Sequence, residues 1–170
     1  MSDIDLLNTD LPFRIRPILE GDNEAIAKVV RTVLEEYGVD RPGTVYTDES
    51  TDQLYYYFEI DNAEYWIAEL KGEIVGGCGI FPTEGLPEGC IELVKLYVLK
   101  HARRTGIGTE LMQISIDRAR ELGYSQVYLE TMPELDDAIG LYEKLGFRLL
   151  NERLGNTGHF ACNIWMVLDL

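Results

Sequence analysis

Residues 92–112, ELVKLYVLKHARRTGIGTELM, change character twice. The first part belongs to CIELVKLYVLK (90–100), a run rich in aliphatic residues that reads as a strand. Lys100, Arg103 and Arg104 then gather ahead of two glycines, Gly106 and Gly108. From there Met112, Ile116, Ala119 and Leu122 recur at helical spacing, and Leu111 and Ile114 widen the apolar face. Gly123 is placed to stop that helix. Basic side chains before a flexible backbone at a helix start make an anion site.

Outward from this stretch the chain alternates between the two periodicities. FRIRPI reads as a first strand, Phe13 to Ile18, followed by a helix with Ile26, Val29, Val30, Val33 and Leu34 on one face. DQLYYYFEI suits either a short helix or a strand. EYWIAEL and EIVGGCGI are short strands joined at Lys71-Gly72, a hairpin signal. After the central helix, SQVYLE is a strand and PELDDAIGLYEKLGF a helix. In the latter Ala138, Leu141, Tyr142 and Leu145 share a face, and Gly146 stops it. Two last strands, roughly Phe147 to Arg153 and Phe160 to Leu168, are expected to flank the turn LGNTGH. The order predicts an α/β (α+β layered) domain with one mixed, largely antiparallel sheet.

Composition limits the function. With 170 residues the chain is expected to form a single domain over 1–170, with 1–12 as a variable N-terminal segment. Thirty Asp and Glu against fifteen Lys and Arg give a formal charge of −15, which argues against nucleic acid or an anionic membrane as partner. No apolar run is long enough to span a bilayer, and the start does not read as a secretory signal. Cys78, Cys90 and Cys162 are isolated and odd in number, so neither a disulfide framework nor a zinc site is expected. A reduced, cytoplasmic setting, no metal, and a monomer or homodimer are the expectations.

Three phosphate motifs compete for the glycine loop. A nucleotide P-loop needs a lysine after its last glycine, and none follows Gly106 or Gly108. A dinucleotide fingerprint would find leucine, Leu111, at its third glycine position, although Glu130 stands about twenty residues on. The third option is Arg103-Arg104-Thr105-Gly106-Ile107-Gly108, the pattern [RQ]xxGx[GA]. There consecutive N–H groups wrap a diphosphate at the helix start and the dipole meets its charge.

With ARELGYSQVYLET and AIGLYEKLGF following in order, the stretch resembles the GNAT superfamily of N-acetyltransferases over about the last hundred residues. The resemblance implies helices on both sheet faces and a cleft for acetyl-CoA between two splayed parallel strands, those ending at Val98 and Glu130. It implies that the backbone of Leu96, Tyr97 and Val98 pairs with the pantetheine arm. Arg103, Arg104, Thr105, Gly106, Ile107, Gly108 and Thr109 would hold the diphosphate.

The same resemblance gives Tyr142 the role of hydrogen-bonding the departing sulfur. Glu92, six residues before Val98, would be a general base acting through water, unless Lys95 pairs with it instead. A base is needed because an alkyl amine is neutral in only about one molecule in 2,500 at pH 7. The Val98 amide is the expected oxyanion donor. The family often begins its last helix region with an asparagine, whereas this chain has Glu134-Leu135-Asp136-Asp137, whose aspartates suit caps.

The activity implied is transfer of an acetyl group to a primary amine of a small molecule or peptide. The acidic composition tilts that amine towards a cationic one. Tyr57, Asn156 and His159 are the candidate acceptor contacts. The alternative is a non-catalytic acyl-CoA sensor or interaction module of the same fold.

Overall fold

At Lys71 and Gly72 the backbone turns left-handed, with φ of 52° and 80°. This is the conformation that a two-residue hairpin needs to match strand twist. The turn joins β2 (Glu64–Leu70) to β3 (Glu73–Phe81) in antiparallel register, Leu70 facing Glu73. The computed structural model of the protein describes residues 12–170, so most of the expected N-terminal segment, 1–12, lies outside the described residues.

The remaining described strands and α-helices are β1 (Phe13–Pro17), α1 (Asn23–Glu36), α2 (Leu54–Tyr57), β4 (Cys90–Val98), α3 (Ile107–Glu121), β5 (Gln126–Thr131), α4 (Asp136–Lys144), β6 (Arg148–Leu149) and β7 (Ile164–Asp169). They build a seven-stranded sheet in the order β1-β2-β3-β4-β5-β7-β6. Its β4–β5 pair is parallel and the other pairs are antiparallel. This is the mixed α/β sheet expected.

Each sheet face carries its own core. Ile26, Val30 and Leu34 of α1 pack with Leu54, Tyr65 and Tyr97 on one face. Ile107, Leu111 and Met112 of α3 pack with Phe13, Trp66 and Tyr142 on the other. The period-2 alternation of the strands feeds both cores, which is why the central strands are buried on both sides.

The tyrosine run resolves as the single-turn helix α2, with Leu54 and the following Phe58 buried, Tyr56 outward and Tyr57 part-exposed against Phe81. The expected last hairpin is corrected. β6 has only two residues, β7 begins at Ile164, and residues 150–163 are irregular. Their polar groups bond the body of the protein and form local side-chain and turn contacts in place of a ladder: Asn156 N–H donates to Glu84 C=O, the Thr157 hydroxyl donates to Glu130, and Arg153 donates to the carbonyls of His159 and Cys162. The aspartates of α4 are not caps either. Leu135 holds that position without a side-chain bond, and Asp137 accepts a hydrogen bond from the Tyr37 hydroxyl at 2.8 Å.

Candidate active site

β4 and β5 pair only from Cys90–Glu92 to Gln126–Tyr128 and then separate. Into the fork opens a cavity of roughly 920 Å³. The antiparallel β3–β4 ladder is interrupted opposite the fork. Gly77 pairs with Tyr97 and Gly79 with Val94, so β4 carries one extra residue there, and Lys95 takes a φ of 53°. Such bulges redirect a strand and its side chains. Because Leu99 N–H bonds Val75 C=O, ladder alternation turns the main chain of Val98 towards the open side and that of Tyr97 towards β3.

Glu92 is the last β4 residue paired across the fork, facing Tyr128. It is 4% exposed yet lines the cavity. Burial pushes its carboxyl up to about 7, against the hydrogen bond donated by the Thr83 hydroxyl, with the neighbouring Glu130 pushing further upward. Lys95 does not pair with it. The Lys95 ammonium lies 3.2 Å from Asp48 Oδ2. Tyr142, from the inner face of α4, lines the same cavity. Its ring packs 5.9 Å from that of Phe147, and burial pushes its hydroxyl up, so it stays protonated at any physiological pH.

The anion loop closes the other end. Arg104 and Gly106 take φ of 60° and 93°, and no side chain caps α3. Its first N–H groups are therefore open to a ligand. Arg104, Gly106, Gly108 and Thr109 line the cavity. Ile107 is buried in the core, and the Thr105 hydroxyl donates to Ala102 C=O at 2.7 Å, so these two offer only main chain.

Arg103 lines the cavity but is largely committed elsewhere. Its Nε donates to Val98 C=O at 2.9 Å, and its guanidinium grips Glu36 at 2.9 and 3.0 Å beside Tyr37. It ties the end of β4 to α1. The uncapped helix, the positive-φ loop and the two open strand edges fit an acetyl-CoA molecule with its diphosphate on the loop amides.

The acceptor candidates Tyr57, Asn156 and His159 line the same cavity. Tyr57 stacks on Phe81, ring centroids 4.5 Å apart. His159 Nε2 lies 2.7 Å from Asp48 Oδ2. Asn156 is at the rim, bound through its main chain. Sequence reasoning missed Asp48, Thr83 and Thr131. Asp48 and Thr83 sit in loops without periodicity, and their role exists only once the chain is folded. The Thr131 hydroxyl, at the end of β5, is buried without a hydrogen-bond partner and lines the cavity. Among the described residues no group of His, Cys, Asp or Glu could hold a metal, and the three cysteines are free. No described helix is long and apolar enough to cross a membrane.

The sequence profile of the acetyltransferase (GNAT) family matches residues 30–147. The chain belongs to the GNAT acetyltransferase family. It is an acetyl-CoA-dependent acetyltransferase. A relative described as the uncharacterized N-acetyltransferase YjgM of Escherichia coli is 41% identical over 158 residues, 92% of this chain and 94% of its own length. A GNAT-family acetyltransferase from Staphylococcus aureus superposes with a TM-score of 0.78 at 18% identity, over 92% of this chain and 98% of that one. A phosphinothricin acetyltransferase from Sinorhizobium meliloti, solved in complex with acetyl-CoA, superposes with a TM-score of 0.72 at 19% identity, over 94% of this chain and 89% of that one.

Proposed function

We propose that this protein transfers the acetyl group of acetyl-CoA directly to a primary amine of a small molecule or peptide. The observation that carries the reading is Glu92. It is a buried carboxyl at the strand fork, held near 7, in one cavity with Tyr142 and the open start of α3. A general base works best with such a value near the operating pH.

Acetyl-CoA supplies an activated thioester. Glu92 removes the proton that keeps the amine cationic, directly or through a water. The Val98 N–H, turned to the open side of β4, faces the charge that develops on the carbonyl oxygen. Tyr142, still protonated because burial disfavours its anion, gives a proton to the departing sulfur. The amine gains the acetyl group and the thiol leaves; the second N–H proton, released as the tetrahedral intermediate collapses, restores Tyr142, and the first passes from Glu92 to solvent. Leu96 and Val98 would hold the pantetheine arm with main-chain groups, Arg104 to Thr109 the diphosphate, and Tyr57 and His159 the acceptor.

A panel of primary amines incubated with acetyl-CoA, read by thiol release, tests this. Release that depends on amine and on Glu92 is expected. No release with any amine, despite acetyl-CoA binding, would leave an acyl-CoA-binding protein without turnover.

A further inference from the structure

We infer that the acceptor carries a carboxylate beside its amine, and that Lys95 is the group that positions it. This rests on the amine-acetyltransferase reading above and names its substrate class.

The Lys95 side chain is 4% exposed, yet it lines the acceptor end of the cavity. An ammonium has three donors. Among the described residues one is used, towards Asp48 Oδ2 at 3.2 Å, and the ammonium stands 5.9 Å from the centroid of the Tyr57 ring. Asp48 is itself shared, since the same oxygen lies 2.7 Å from His159 Nε2. A buried cation short of partners is costly, and an entering anion would complete its set.

The backbone is built to present this group. The extra residue in β4 sends Val94 and Lys95 to one side: Val94 packs with the α1-facing core, and Lys95 reaches Asp48 beside Tyr57. Lysine takes a left-handed φ of 53° to do so, a conformation that side-chain-bearing residues rarely adopt.

Glu92 stands three residues earlier on the same strand and lines the same cavity. The acceptor end therefore offers a base for an ammonium and a cation for a carboxylate. A zwitterionic amino acid matches both charges. Glu130, the other buried carboxylate there, is already bound by Tyr128 and Thr157 and lies 3.4 Å from Arg153. A purely cationic amine could use Glu92 but would leave the two spare donors of Lys95 without a partner.

The test is calorimetric titration of the full chain with N-acetyl products in matched pairs, with and without the carboxylate: N-acetylphenylalanine beside N-acetylphenethylamine, and N-acetylleucine beside N-acetylisoamylamine. The carboxylate member of at least one pair should bind at least ~10-fold tighter. Lys95→Met should abolish that preference and Lys95→Arg restore part of it. Equal binding within every pair, preference for the members lacking the carboxylate, or no binding of any would overturn the proposal. If Lys95→Met does not fold, the wild-type pairs still decide.

Thiol release with the parent amines is read separately. Release without carboxylate preference sinks this inference and leaves the chemistry standing. Discrimination among products without release sinks the chemistry and leaves the carboxylate site.

Discussion

A carboxyl that is buried before substrate arrives weakens the fold, and Glu92 shows the cost. Its folded value of about 7 lies above the unfolded value near 4.3. Its contribution to stability is therefore fully present below about pH 4 and is lost as pH rises through 7. At pH 8 the penalty is on the order of 3 kcal/mol. Glu92→Gln should raise the melting temperature at pH 8 but hardly at pH 4. The same change should lower kcat about 100-fold or more and remove the rise in kcat/KM around pH 7. A variant that melts like wild type at both pH values and keeps its activity would show that Glu92 is not the desolvated base. Tyr142→Phe should lower turnover by about one to two orders of magnitude. The loss stays modest because a thiol near 8.5 already leaves more easily than tyrosine gives up its proton. An unchanged rate would remove Tyr142 from the reaction. Glu92 and Tyr142 were legible in the sequence because each sits at a fixed distance from a recognisable motif. Lys95 was visible, but its partner was not: Asp48 lies 47 residues away in a loop, and only the fold brings the two together.

Elements whose signals are local were read correctly, and those stabilised by distant contacts were not. Gly123 and Gly146, at φ of 87° and 97°, end helices where their sequence context put them, and Lys71-Gly72 turns the hairpin. The last two strands pair antiparallel as expected but are shorter, because the chain between them is held by other bonds. Arg153 donates to the carbonyls of His159 and Cys162, which draws the segment into a strap over the cleft. At the start of α3 the backbone itself makes the site. Gly106→Asp would put a side chain on a φ of 93° and a negative charge where the diphosphate belongs. Acetyl-CoA affinity should fall at least ~10-fold by calorimetry. Thr105→Val, whose hydroxyl serves only the loop, should change it much less. Equal losses in both would mean that side chains rather than amides hold the phosphates.

Over the whole molecule, two cores on opposite sheet faces hold the fork open from outside, and charged contacts tie the ends of the elements to them. Arg16 bonds Asp22 at 2.7 and 3.0 Å and Glu69 at 2.6 Å, joining β1, β2 and the start of α1. Burial would raise the Asp22 carboxyl, but the Arg16 hydrogen bond holds it below its ordinary value. His159 and Lys95 do the same for Asp48. Both carboxylates thus add stability above about pH 4, lost as pH falls through their depressed values. Thermal melts should show Asp22→Asn costing stability at pH 7, with the cost shrinking as pH falls below 4. Acetyl-CoA should lie in the fork between β4 and β5. Crystals grown with acetyl-CoA test it most directly. The thioester should lie beside Glu92 and Tyr142 and the diphosphate on the amides of Arg104 to Thr109. A ligand bound elsewhere, with the fork empty, would contradict it.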